Sequence, residues 1–99
     1  MKAMEQKILQ EGTVLPGGIL KVGSFLNQRI DTEFLRQMGQ EFARLYKDAG
    51  VNKILTIESS GIAIAAAVAM EMGVPMVFAK KHKSSNVDGS VYSTVVHSY

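Results

Sequence analysis

Two short polar segments carry residue types that bind anions. Ser-Ser-Gly at 59–61 follows an apolar run at 54–57 and precedes an alanine-rich stretch, and the basic residues of 80–83 follow a second apolar run at 76–79. Unpaired N–H groups and the positive end of the dipole attract anions at a helix start. The same residues also fit an ordinary helix N-cap and a solvated basic loop. Only their joint position favours an anionic ligand.

The segment from 53 to 83 predicts a β-α-β unit that would create this joint position. Runs 54–57 and 76–79 have the length and apolar composition of strands, and 62–72 is mostly alanine with other helix formers. Gly73 and Pro75 supply a left-handed helix stop with a proline beyond it. Such strands run parallel, and ligands bind at their carboxyl edge. The sequence therefore predicts an anion site there.

The preceding segments predict two helices and a small flap. Residues 1–10 have the apolar spacing of a short helix, and two extended pieces, 13–15 and 19–22, flank a Pro-Gly-Gly turn. A longer helix is expected from the N-cap Asp31 to a stop at Gly50, with its apolar stripe in the core. After the central unit, 84–90 is expected to be a mobile loop and 91–99 a strand.

Composition narrows the class of protein. Ninety-nine residues, 46% hydrophobic and 20% charged, fit a single globular domain, and a net charge of +2 does not support general nucleic-acid binding. The absence of cysteine excludes disulfides and thiol catalysis. No secretory signal or membrane-spanning stretch is present, so a cytoplasmic protein is expected, and the spacing of His82 and His97 predicts no metal site.

Three segments in order, ILKVGSFLNQRID at 19–31, TIESSGIAIA at 56–65 and VFAKKHKS at 77–84, closely resemble the N-terminal part of bacterial xanthine phosphoribosyltransferases. The resemblance covers essentially the whole chain. It implies an α/β, partial type I phosphoribosyltransferase fold, with a parallel sheet core, an N-terminal hood and the C-terminal half missing. One domain, 1–99, would then comprise a hood (1–30), a helix plus β-α-β core (31–83), and a loop and strand (84–99).

The resemblance also implies a reaction and its ligands. The family transfers a phosphoribosyl group from phosphoribosyl pyrophosphate to N9 of xanthine, forming xanthosine monophosphate for purine salvage, with Mg²⁺ on the phosphates. Family enzymes are typically homodimers. Carried over by position, Leu20 and Asn27 would contact xanthine, although by residue type alone they fit a core leucine and a turn amide. The pyrophosphate would be bound by Glu58, Ser59, Ser60, Gly61 and Lys81. No catalytic residue is assigned.

One departure from the family limits this expectation. The family's defining motif is an apolar strand that ends in two adjacent acids and a small-residue loop, and no such pair of acids occurs here. Positioning of the ribose and 5-phosphate would be lost without it, so the 99 residues alone are expected to be inactive. Two alternatives stay open: a non-catalytic purine-responsive regulator of the same fold, for which no helix-turn-helix is apparent, and an inactive truncated or dimerising fragment.

Overall fold

A computed structural model describes residues 1–82 and 91–96. Three helices and two small sheets are present in this part of the chain, in the order α1 (Lys2–Glu11), β1 (Thr13–Leu15), β2 (Ile19–Lys21), α2 (Thr32–Tyr46), β3 (Ile54–Ile57), α3 (Gly61–Met72) and β4 (Met76–Ala79). β1 and β2 pair antiparallel, whereas β3 and β4 pair parallel. The predicted α/β class is confirmed. The loop predicted at 84–90 lies outside the described residues.

The predicted β-α-β unit forms with the expected strand bounds, and its helix begins at Gly61, one residue earlier than predicted. β3 and β4 pair in register from Ile54 opposite Met76 to Ile57 opposite Ala79. Between them α3 ends at Gly73, whose φ of 67° is left-handed and whose N–H donates to the Ala69 carbonyl. Glycine adopts this conformation without a Cβ penalty, so the helix stops where the sequence indicates. The carboxyl ends of both strands lie side by side.

α2 begins as predicted and ends earlier. The Asp31 carboxylate accepts a hydrogen bond of 3.0 Å from the Phe34 N–H, the bond of an N-cap. The last helical residue is Tyr46, because the Ala49 N–H bonds the Tyr46 carbonyl three residues back and the chain tightens into a turn before Gly50.

The apolar stripe of α2 is only half buried, which corrects the expectation that it all lies in the core. Phe34 and Met38 are buried, whereas Phe42 is 38% and Leu45 58% exposed. The residues packed around the buried half come mainly from α1 and from the segment after β2. The C-terminal end of the stripe, with Phe42 and Leu45, instead lines a cavity of about 280 Å³ that Met1 also lines.

α2 and α3 pack with their backbones almost in contact. A Cβ built on Gly39 would lie 2.8 Å from the Ala67 carbonyl oxygen, so only glycine fits at this crossing. On α3 the buried residues are small: Ala65, Ala67, Val68 and Ala69. The small side chains of the alanine-rich α3 therefore allow close packing on α2.

The Phe25 side chain packs the segment between β2 and α2 against the helices. Its side chain is fully buried, and its ring meets the Phe34 ring edge to face, with centroids 5.8 Å apart and planes at 75°. The Asp31 N–H donates to the Phe25 carbonyl at 2.9 Å. One buried aromatic ring therefore holds the end of the hood against α2.

The parallel sheet is open on one face, although the apolar composition of its first strand is typical of a buried strand. Leu55 and Ile57 are 74% and 60% exposed because α3 covers only the opposite face. The strand predicted over 91–99 is wrong for 91–96, which are exposed and form no strand, since no neighbouring strand pairs with them among the described residues. Residues 97–99 lie outside that description. No helix in the described ranges is long and apolar enough to cross a membrane.

Candidate functional site

The two strand ends predicted to meet are joined by two hydrogen bonds. The Glu58 N–H donates to the Ala79 carbonyl at 3.1 Å, continuing the β3–β4 ladder past its last pair. The Glu58 carboxylate in turn accepts a hydrogen bond from the Lys81 N–H. The predicted meeting of the turn and the basic segment at one edge is therefore confirmed. That these residues bind pyrophosphate stays a prediction.

The turn leads directly into α3 without a side-chain cap. Ser60 occupies the N-cap position with helical φ and ψ of −65° and −27°, and its hydroxyl makes no capping hydrogen bond. The peptide between Glu58 and Ser59 is cis. Both serines are exposed. The ordinary N-cap interpretation is not what the structure shows: the Ile62 N–H donates to the Ser59 carbonyl at 3.2 Å, and no side chain caps the start of α3.

Gly61 lets the first turn of α3 approach the end of β3. A Cβ on this residue would lie 2.5 Å from the Thr56 hydroxyl oxygen. A larger residue would force either the Thr56 side chain or the start of the helix to move. The backbone N–H groups at the site are thus held against the sheet by the absence of a side chain.

The basic segment lies on the surface beside this turn. Lys80, Lys81 and His82 are exposed, and Lys83 lies outside the described residues. Exposed ammonium groups next to open backbone N–H groups suit a multiply charged anion such as pyrophosphate. No group of three His, Cys, Asp or Glu side chains gathers anywhere in 1–82 and 91–96 to hold a metal ion.

The two positions predicted to contact xanthine lie on the hood. Leu20 is on β2 opposite Val14 and is 43% exposed, so it is not a core leucine. Asn27 is exposed in a turn that a bond of 3.0 Å from the Arg29 N–H to the Gly23 carbonyl closes. In the described part of the chain no hydrogen bond links the hood to the Glu58 turn. The structure therefore joins Glu58 and Lys81, and leaves the purine positions apart.

A lysine that the sequence analysis overlooked links α1 to the hood and α2. The Lys7 ammonium contacts the carboxylates of Glu11 and Asp31, and lies 6.0 Å from the ring centroid of Phe25 and 5.9 Å from that of Phe34. Hydrogen bonds to Asp31 and then Glu11 raise the pKa of Lys7. The bond from Lys7, followed by that from the Phe34 N–H, lowers the pKa of Asp31. Only the Lys7 to Glu11 spacing of four residues could have been recognised from sequence.

Comparison with known proteins supports the resemblance that the segments at 19–31, 56–65 and 77–84 indicate. No family model matches the chain. Enzymes named xanthine phosphoribosyltransferase do match over all 99 residues: that of Lactobacillus delbrueckii subsp. bulgaricus at 54% identity, that of Lactiplantibacillus plantarum at 52% and that of Ligilactobacillus salivarius at 50%. The resemblance to these enzymes is confirmed.

The alignment covers all of this chain but only about half of each relative. It includes 100% of this chain, but 52%, 51% and 52% of those three relatives respectively. The chain therefore spans about half the length of the curated relatives it matches, consistent with an N-terminal portion.

Proposed function

We propose that this chain is the N-terminal part of a xanthine phosphoribosyltransferase that completes a type I phosphoribosyltransferase fold in the full-length protein. The reaction joins N9 of xanthine to C1 of the ribose of phosphoribosyl pyrophosphate and releases pyrophosphate, giving xanthosine 5′-monophosphate for purine salvage. The observation that carries the proposal is the bonded pair of Glu58 and Lys81 beside the uncapped start of α3. It brings an anion-binding turn and a lysine to one edge, in a chain similar to enzymes of that name.

At this edge the site would act on the leaving group. As the bond from C1 to the pyrophosphate oxygen breaks, negative charge grows on the pyrophosphate. The N–H groups at 59–61 and the Lys81 ammonium are suited to stabilise that charge, and preorganised donors are most effective where charge develops. The Glu58 carboxylate acts indirectly. It holds the Lys81 backbone, which leaves the lysine side chain for the ligand.

The hood would supply the purine contacts. The Leu20 side chain is exposed enough to pack on the face of a planar base, and the Asn27 amide can both donate and accept at the edge of xanthine. Closure of the hood toward the Glu58 turn would bring both ligands together. These roles are carried over from the resemblance and are part of the proposal.

Magnesium would reach the site with the substrate. The described residues offer no cluster of carboxylates, and the Glu58 carboxylate already accepts the Lys81 N–H. Mg²⁺ prefers to keep waters and phosphate oxygens as ligands, so its place is on phosphoribosyl pyrophosphate itself. A cytoplasmic homodimer is proposed on the resemblance alone.

The direct test is a chimera that joins these 99 residues to the unmatched half of the Lactobacillus delbrueckii relative. With Mg²⁺, xanthine and phosphoribosyl pyrophosphate, the chimera should form xanthosine monophosphate, whereas the 99 residues alone should not. A folded chimera without activity would contradict the proposal. Xanthine binding that does not depend on phosphoribosyl pyrophosphate, without turnover, would favour the regulator instead.

Lys81→Ala in the chimera tests the role of the turn. The variant keeps the backbone N–H that Glu58 accepts, so it removes only the ammonium group. We expect kcat to fall about a hundredfold, the usual loss for one stabilising contact in the transition state. Lys53→Ala is the matched control, because Lys53 is exposed just before β3, at the opposite end of the strand. Equal rates for the two variants would show that the Lys81 ammonium does not contribute to the reaction.

A further inference from the structure

Asn27 lies in a loop that is closed on itself. We call residues 23–31 the Asn27 loop. Inside it, the Arg29 N–H donates to the Gly23 carbonyl at 3.0 Å, and the Asn27 side chain at its tip is exposed. The position of the amide therefore depends on what the two ends of the loop contact.

Both ends of the Asn27 loop contact the C-terminal half of α1. At the first end, the Ser24 hydroxyl donates to the Glu11 carbonyl at 3.0 Å, which satisfies a carbonyl that the end of a helix leaves without a partner. At the second end, the Asp31 carboxylate contacts the Lys7 ammonium, which also contacts the Glu11 carboxylate. The end of α1 thus holds the loop at two separate points.

Lys7 is more confined than a surface lysine usually is. Its side chain is only 21% exposed, and its ammonium group lies 6.0 Å from the ring centroid of Phe25 and 5.9 Å from that of Phe34. An exposed ion pair contributes little, in part because two long side chains must be ordered to form it. Here two carboxylates and two aromatic rings surround one ammonium group, so the lysine is already ordered by its neighbours.

We propose that Lys7 is a positioning residue for the purine: through Asp31 it holds the Asn27 loop against α1 and sets where the Asn27 amide meets the edge of xanthine. The role in purine binding rests on the proposed function, whereas the attachment of the loop rests on the contacts alone. Lys7 acts through Asp31 and does not touch the purine. None of the contacts that carry this inference involves the Glu58 turn, so binding of phosphoribosyl pyrophosphate is not affected.

Lys7→Met in the chimera described above tests the role in purine binding. Methionine keeps most of the apolar side chain and removes the ammonium group. Well below the Tm we expect KM for xanthine to rise about fivefold, with kcat and KM for phosphoribosyl pyrophosphate unchanged. Lys7→Arg keeps a cation for both carboxylates and should restore KM. Lys2→Met is the matched control, because Lys2 is exposed on the same helix and no ion pair among the described residues includes it.

Hydrogen exchange tests the attachment of the loop without relying on catalysis. In the 99-residue chain, Lys7→Met should speed exchange of the Arg29 amide about fivefold, because the loop would open more often. The Val68 amide, in the buried part of α3, is the internal control. A general loss of stability would speed exchange at both amides, whereas release of the loop speeds it only at Arg29.

Three outcomes would overturn the proposal. They are an unchanged KM for xanthine in the Lys7→Met chimera, an equal rise in KM for both substrates, and equally faster exchange at Arg29 and Val68. Should Lys7→Met fail to fold, Asp31→Asn removes the same contact and keeps an acceptor for the Phe34 N–H. A chimera that forms no xanthosine monophosphate would refute the proposed function and with it the purine role, whereas an active chimera with an unchanged KM would refute the role of Lys7 alone.

Discussion

Gly39→Ala tests whether the close crossing of α2 and α3 contributes to the free energy of unfolding of this chain. Two opposing effects act at this position. Alanine is favoured over glycine in a helix interior by about 0.8–1.0 kcal/mol. The added methyl group, however, would lie 2.8 Å from the Ala67 carbonyl oxygen and 2.9 Å from its carbonyl carbon, where ordinary contact begins at 3.4 Å.

The steric effect should win. The clash is with backbone atoms, so it cannot be relieved by a side-chain rotation, and the helices must separate by about 0.6 Å. Overpacking of this kind usually costs about 1–3 kcal/mol. We therefore expect a net loss of about 1 kcal/mol, which lowers the Tm of a domain this size by about 5 °C.

The measurement is thermal unfolding of the 99-residue chain followed by circular dichroism. Gln40→Ala, at the exposed neighbouring position on α2, should change the free energy of unfolding by less than about 0.5 kcal/mol. A Gly39→Ala chain that is more stable than the parent would show that the helices are free to part. Close packing of α2 on α3 would then not explain why position 39 is a glycine.

Two further predictions concern the polar contacts. Because the pKa of Asp31 is lowered by its bond from Lys7, the stabilising effect of the carboxylate is complete above its unfolded pKa of about 3.9 and is lost as pH falls through the lower folded value. The Tm should therefore drop between about pH 5 and pH 3, and Asp31→Asn should flatten that drop; an unchanged profile would contradict the role of the contact. Glu58→Ala should speed hydrogen exchange of the Lys81 amide, whereas Glu58→Gln, which keeps an acceptor oxygen, should slow it again; equal exchange in both variants would refute the bond.

Local sequence signals predicted the elements well where they agree with the packing. The β-branched run before the Glu58 turn, the left-handed stop at Gly73 and the N-cap at Asp31 each depend on a few neighbouring residues, and the structure contains all three. The meeting of the Glu58 turn with Lys81 was also predictable, because two parallel strands joined by one helix bring their carboxyl ends together.

Tertiary placement could not be predicted in the same way. Periodicity shows that the stripe of α2 is apolar, but Phe42 and Leu45 are covered only if another element reaches them, and none of the described elements does so fully. The contact of Lys7 with Asp31 joins residues far apart in sequence, and no local pattern indicates it. The exposed faces of α2 and of the sheet share this origin, since no local pattern indicates which element would cover them.

The burial of Phe25 has a consequence for how variants of this protein should be interpreted. Asn27, the proposed purine contact, is only two residues along the chain, and the turn that carries it is fixed to the helices mainly through the Phe25 ring. A substitution at Phe25 would displace the amide without removing it. In the proposed full-length transferase such a variant would raise KM for the purine and leave the chemistry of the bond-breaking step intact, so a residue that never meets the substrate would have the kinetic signature of one that does.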